Sequence, residues 1–249
     1  ATGGSFTVVS NSTALSAGAW HHVVAVVDRG NISNSKIYID GSAAGTSVSD
    51  GGNSGSISNT VPLAIGSESD DQFNWSGAID DVRVYDRALS PQEVAQLYAM
   101  GETNVAHAGA SLSPSGLIGY WTFDGGSINW NAKTIADSSA KADTLSMGGY
   151  NAATSTALAL GKLGQALKFN GSTQYLSHAN VSAFNFGTGD FSVSFWMKPS
   201  SPWGTVATVG LIGQKTDDPY NGWQIYQDSG HPGHLDMRIT QQNNFLSNE

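Results

Sequence analysis

IDDVRVYDRALSPQEV, residues Ile79 to Val94, joins two kinds of local order within sixteen positions. Its first half, extended back to Ala78, alternates as a strand through Tyr85. Period two sets Val82 and Val84 on one face and Asp81, Arg83 and Tyr85 on the other. That alternation predicts that Asp80 shares the Val82 face and points inward. Its second half opens a helix. In Ser90-Pro91-Gln92-Glu93 the serine hydroxyl can accept from the amide of Glu93, and the glutamate can reach back to the amide of Ser90. Pro91 stands where no amide is needed. Val94, Leu97 and Tyr98 follow at helical spacing, and Gly101 ends the run.

Outward from this stretch, strand signals dominate. Trp20 to Asp28 (WHHVVAVVD) is apolar at nearly every position, as in a central strand buried on both faces. Lys36 to Asp40 alternates and ends on the turn pair Asp40-Gly41. Val61 to Gly66, Leu117 to Asp124, Ala166 to Gly171 and Gln174 to Ser177 read as further strands. Phe191 to Lys198 puts Phe191, Val193, Phe195 and Met197 on one face. Val209 to Ile212, Gly222 to Tyr226 and Leu235 to Thr240 continue the series. Many short strands with frequent turns indicate an all-β sandwich or jelly roll with one short helix near 90–99. Glu102 to Ser115 has no period and reads as a linker.

Composition narrows the function. Charged residues make up 12% of the 249 residues, about half the usual ~25%. The polar surface is therefore Ser, Thr, Asn and Gly, which suits turns and an extracellular setting. The absence of cysteine excludes disulfides and thiolate zinc sites. A net charge of −9 argues against nucleic acid, whose phosphates need clustered Lys and Arg. No apolar run approaches the ~20 residues of a membrane span. The chain shows neither a signal peptide nor an initiator Met, so it reads as a piece of a longer protein.

The runs WHHVVAVVD, KIYIDG, PLAIGS and GAIDDVRVYDRALSPQEVAQLY resemble the C-terminal half of a laminin-G-like jelly roll, of the concanavalin A-like lectin and glucanase superfamily. GLIGYWTFD, ADSSAKADT, GKLGQALKFNGSTQYL, FSVSFWMKPSS and NGWQIY resemble the N-terminal half of the same module. The resemblance thus divides the chain into residues 1–100, a linker at 101–114, and residues 115–249, second half first. Two readings follow, a slice from a tandem array or one circularly permuted sandwich. Each half alone would expose strand edges and an apolar face, so closure into one sandwich is the expectation.

Candidate site residues follow from both sources. The loop carrying Glu68, Asp70 and Asp71 groups oxygens of the kind calcium takes. Related modules, pentraxins included, hold calcium in an acidic loop at a similar place. The alternative is a solvated acidic turn. An inward Asp80 needs a hydrogen-bond partner or a metal, and Asp124 at the end of GYWTFD has the same need. Either a calcium bridges the two halves through them, or they cap the backbone amides of turns. His21 and His22 are strand neighbours facing opposite ways and cannot both bind one metal, and His231 and His234 lie in a turn, where histidines are usually solvated, so zinc is not the expected ion. Superfamily glucanases carry Glu-x-Asp-x-Glu or Glu-x-Asp-x-x-Glu along one strand. Here Glu68-Ser69-Asp70 lacks the second Glu, and Glu93, Glu102 and Glu249 lie elsewhere.

Sugar binding calls for aromatic faces in polar loops. Trp203, Tyr220 and Trp130 have such contexts, whereas Trp20, Trp121, Trp196 and Trp223 belong to strands. The expected function is a non-catalytic carbohydrate-binding or adhesion module, secreted or at the cell surface. Its partners would be a surface glycan and neighbouring repeats, with calcium as the only candidate ion. The alternatives are a structural or protein-binding spacer and an accessory module of a glycoside hydrolase.

Overall fold

A computed structural model of the chain describes residues 5–10, 15–44, 46–50, 55–68, 73–102, 115–150, 157–179, 182–201, 208–217, 220–230 and 233–241. The first part carries β1 (Ser5–Ser10), β2 (His21–Val27), β3 (Lys36–Ile39), β4 (Ser42–Ala43), β5 (Thr46–Asp50), β6 (Leu63–Ile65) and β7 (Ser76–Tyr85). Helix α1 (Pro91–Glu102) closes it. The second part carries β8 (Leu117–Trp121), β9 (Ile128–Asn129), β10 (Thr134–Ile135), β11 (Leu145–Gly148), β12 (Leu158–Leu160), β13 (Gln165–Asn170) and β14 (Tyr175–His178). It ends with β15 (Phe191–Pro199), β16 (Val209–Asp217), β17 (Tyr220–Gln227) and β18 (Asp236–Thr240). The expected linker falls almost wholly outside the described residues.

The strands build two antiparallel sheets. One runs β5-β1-β18-β17-β16-β6-β14-β11-β10-β9, and the other β12-β13-β7-β15-β2-β3-β4 with β8 added against β7. Strands from both parts interleave in each sheet. β15 lies between β2 and β7, with Val193 opposite Ala25 on one side and Val84 on the other. β6 lies between β14 and β16. β1, near the start, pairs with β18, near the end. One core fills the space between the sheets. It takes Val23, Ala25 and Val27 from β2 together with Phe191, Val193, Phe195 and Met197 from β15. The fold is an all-β, two-sheet jelly-roll sandwich with one α-helix among the described residues.

β7 departs from simple alternation. Its register with β15 shifts between Ser194 and Trp196, and Asp81 there has φ 59°. A residue in the left-handed region is what a β-bulge inserts. The bulge also marks a change of neighbour. Ser76 to Ile79 pair with β13, whereas Val82 to Tyr85 pair with β8. Ile79 pairs with Met197 and faces the core, so Asp80, paired with Trp196, faces away from it. The expectation that Asp80 shares the Val82 face is therefore wrong, because one extra residue flips the alternation.

α1 covers this outer face. Val94 and Leu97 pack with Val24, Val26, Tyr38, Tyr85 and Leu89 in a second apolar cluster. The capping box is present: Ser90 Oγ accepts from the amide of Glu93 at 3.3 Å, and Glu93 Oε2 accepts from the amide of Ser90 at 2.9 Å. Arg87 also binds Glu93, at 2.6 Å, and holds its carboxyl down to about 2. Gly101 ends the contact face. A Cβ there would lie 2.2 Å from Trp196, so only glycine lets the helix sit against that indole.

Candidate functional site

The two inferred inward carboxylates meet one turn. Asp80 is fully buried, and its Oδ2 accepts from the amides of Lys162 at 2.8 Å and Leu163 at 2.9 Å. Asp124 Oδ1 accepts from the amide of Gln165 at 2.8 Å. All three donors lie in or beside the Gly161–Gly164 turn joining β12 to β13, which is closed by the Gly161 amide on the Gly164 carbonyl at 3.0 Å. Gly164 has φ 64°, and a Cβ on it would come within 2.2 Å of Asp124 Oδ1. The glycine thus provides both the turn and the room for the carboxylate.

Amide capping accounts for these contacts, and it ties β7 of the first part to a turn of the second. The second oxygen of Asp80, Oδ1, has no partner and is enclosed. Burial chiefly pushes the Asp80 carboxyl up to about 8, with Asp81 and Asp124 adding in the same direction against the two amides. Glu68 is buried and ion-paired with the buried Lys215 of β16. Asp70 and Asp71 lie outside the described residues. Among the described residues no group of three or more His, Asp or Glu is placed to hold a metal. Glu68, Asp80 and Asp124 therefore do not fit a shared calcium.

The histidines serve the scaffold. His21 Nδ1 is 2.9 Å from Asp40 Oδ2. His22 Nε2 is 3.0 Å from Ser194 Oγ, with its ring 4.9 Å from that of Trp196. Burial, reinforced by Arg83, drives His22 down to about 3, so it stays neutral.

Of the three aromatic candidates, Trp203 lies outside the described residues, and for Tyr220 only the backbone, at the start of β17, is described. Trp130 is placed in full. It sits in the turn between β9 and β10, half-buried against the core. Asn129 Oδ1 stabilises that turn by accepting from the Ala132 amide at 3.0 Å. Trp130 lines an open cavity of about 680 Å³ together with Ser127, Asn129, Asn131, Thr134 and Thr144. That volume is in the range of small-ligand sites. Its chemistry is one flat indole among amides and hydroxyls, with no charged side chain. The sequence pointed to Trp130 through its INWNAK context. Thr144 was missed because only the pairing of β10 with β11 brings it there.

Comparison with known families agrees with this architecture. Residues 1–95 match a family model of the concanavalin A-like lectin/glucanases superfamily. The sandwich that those residues form with the later strands is of the concanavalin A-like type. Residues 132–232 match the model described as Clostridium neurotoxin, N-terminal receptor binding. Both matches are to families of binding modules. No solved structure matches the chain. No described helix is long and apolar enough to cross a membrane.

Proposed function

We propose that this chain is a non-catalytic carbohydrate-binding module of a secreted or cell-surface protein, with the Trp130 cavity as its sugar site. The observation that carries the reading is the combination in that cavity. An indole face offers a pyranose ring a flat apolar surface, and Asn, Ser and Thr groups around it suit hydroxyls. The uncharged lining favours a neutral sugar. A glycan array with the intact protein and its Trp130→Ala variant tests this. Binding of a neutral glycan that the substitution abolishes supports it, and binding that survives sinks it.

A second reading, a spacer or protein-interaction repeat, has Leu160 in its favour. This residue is 85% exposed on β12, the edge strand of its sheet, where unpaired backbone and an apolar side chain invite a neighbour. Concentration-dependent self-association that Leu160→Lys removes would favour it. We further propose that residues 1–100 and 115–249 are the two halves of one module in reversed order, joined by 101–114. Co-expression of the separated halves should restore a single cooperative melt. Calcium is retained as a proposal for Asp70 and Asp71 alone. A rise in melting temperature at millimolar calcium that Asp70→Asn removes supports it, and no shift counts against it.

A further inference from the structure

Glu68 and Lys215 meet on the outer face of the ten-stranded sheet. Trp223 and Ile225 of β17 face the core, so Gly222, Gln224 and Tyr226 between and beside them face out. Lys215 of β16 stands opposite Gly222 and shares that outer face. Glu68 follows β6, and its backbone lies against Gly210 of β16, where a Cβ would come within 2.2 Å of the Glu68 nitrogen. From there its Oε1 reaches the Lys215 ammonium. The Lys215 and Glu68 side chains are 4% and 7% exposed, so they touch out of water.

This contact differs in kind from the molecule's other ion pairs. Arg83–Asp81 is as deeply buried, but a guanidinium keeps its proton and offers no lone pair. Lys162–Glu102 has an amine, but its side chains are 23% and 46% exposed. Among the described residues, only Lys215–Glu68 sets an amine against a carboxyl where water is kept away. Polar groups with spare capacity surround it. Tyr226 stands opposite Gly210, the residue on which Glu68 packs. Burial chiefly pushes its hydroxyl up, and the Glu68 charge adds in the same direction. The Tyr226 hydroxyl and the Oε1 of Gln224 are both enclosed, and neither has a hydrogen-bond partner among the described residues.

We propose that Lys215 and Glu68 are the site of an intramolecular isopeptide bond, from the lysine Nζ to the glutamate Cδ, which the folded chain forms by itself. Burial penalises both charges, and passing one proton from Nζ to Oε1 removes them. The neutral amine then attacks Cδ, forming the Nζ–Cδ bond while the carbonyl electron pair moves onto oxygen. The Tyr226 hydroxyl would donate to that oxygen. The Cδ–Oε1 bond then breaks, and the hydroxyl leaves with a second proton from Nζ, as water. One ammonium and one carboxylate thus become one amide and one water, and no co-reactant is consumed. The fold supplies the proximity that makes such a step intramolecular. The link would tie the first part of the chain to the second across 147 positions, in a protein without cysteine. A covalent tie of that span restricts the unfolded chain as a disulfide does. It does not depend on the sugar reading of Trp130.

The test is intact-mass spectrometry of the denatured full chain, followed by proteolysis and peptide mapping. The parent protein should weigh one water less than its sequence requires. Mapping should recover a branched peptide that contains both Glu68 and Lys215. Lys215→Arg keeps the ion pair but lacks the amine, and it should weigh what its sequence requires. A parent protein at full sequence mass overturns the proposal. So does a water missing from Lys215→Arg as well. A water lost elsewhere, such as by succinimide formation at Asp40-Gly41 or Asp124-Gly125, also overturns it, because Glu68 and Lys215 would then map to separate linear peptides.

Discussion

Asp80 and Trp130 both stand out as residues in need of an explanation, yet they sit in opposite circumstances. Asp80 is fully enclosed, and its hydrogen bonds go to amides of the chain itself. Trp130 packs one part of its ring on the core and opens the rest to a polar cavity. A buried polar group whose partners are internal stabilises the fold, because a lost partner leaves it desolvated and unpaired. A half-open aromatic beside polar groups that line a cavity can meet a ligand. The difference lies in where the partners are, not in residue type.

The comparison breaks most visibly at Asp80. Replacing it with Ala leaves two turn amides without an acceptor, and the expected loss is about 2–4 kcal/mol in denaturant unfolding. Asp80→Asn keeps a carbonyl for those amides and should cost far less. It should also change the pH profile. Folded Asp80 holds its proton up to about pH 8, whereas the unfolded group loses it near 3.8. Between those values the native state binds more protons, so stability falls as pH rises. His22 works oppositely, because the unfolded ring takes a proton below 6.5 and the folded one only near 3. The two slopes offset each other between pH 3.8 and 6.5. Melting temperature should then decline from 6.5 to 8 in the parent protein, and Asp80→Asn should flatten that decline. A decline that persists in the variant would show that Asp80 is already ionised.

A middle-sized effect is expected at the helix cap. Ser90→Ala removes the acceptor for the Glu93 amide and should cost about 1 kcal/mol, read by thermal unfolding. At Trp130 the expected effect is chiefly on binding. Trp130→Ala should shift unfolding by less than Asp80→Ala while removing neutral-glycan binding. If it unfolds the protein instead, Trp130 belongs with Asp80 as part of the scaffold.

Much of this fold was legible in local pattern. Period two identified the core face of β15, the unbroken apolar run marked β2 as a central strand, and the Ser90–Glu93 signature located α1. What escaped depends on the shape or pairing of distant chain. The run Ile79-Asp80-Asp81-Val82 looks like plain alternation, and nothing in it announces the bulge that turns Asp80 outward. β1, β5, β11 and β12 were missed because short strands rich in Ser, Thr or Ala resemble loops. The partner of Glu68 is Lys215, 147 positions away, so an acidic loop that suggested calcium turned out to hold a buried ion pair.

The pairing of β1 with β18 sets a clock on biosynthesis. Ser5 lies opposite Thr240, so the edge of β1 has no native neighbour on that side until the chain has been made as far as Thr240. β2 and β7 likewise wait for β15 to fill the gap between them. At ~5–20 residues per second, translation from Glu102 to Thr240 takes roughly 7–28 s. For that interval the nascent first half carries uncovered strand edges and an open apolar face. Its survival in the cell depends on shielding during synthesis as much as on the stability of the finished sandwich.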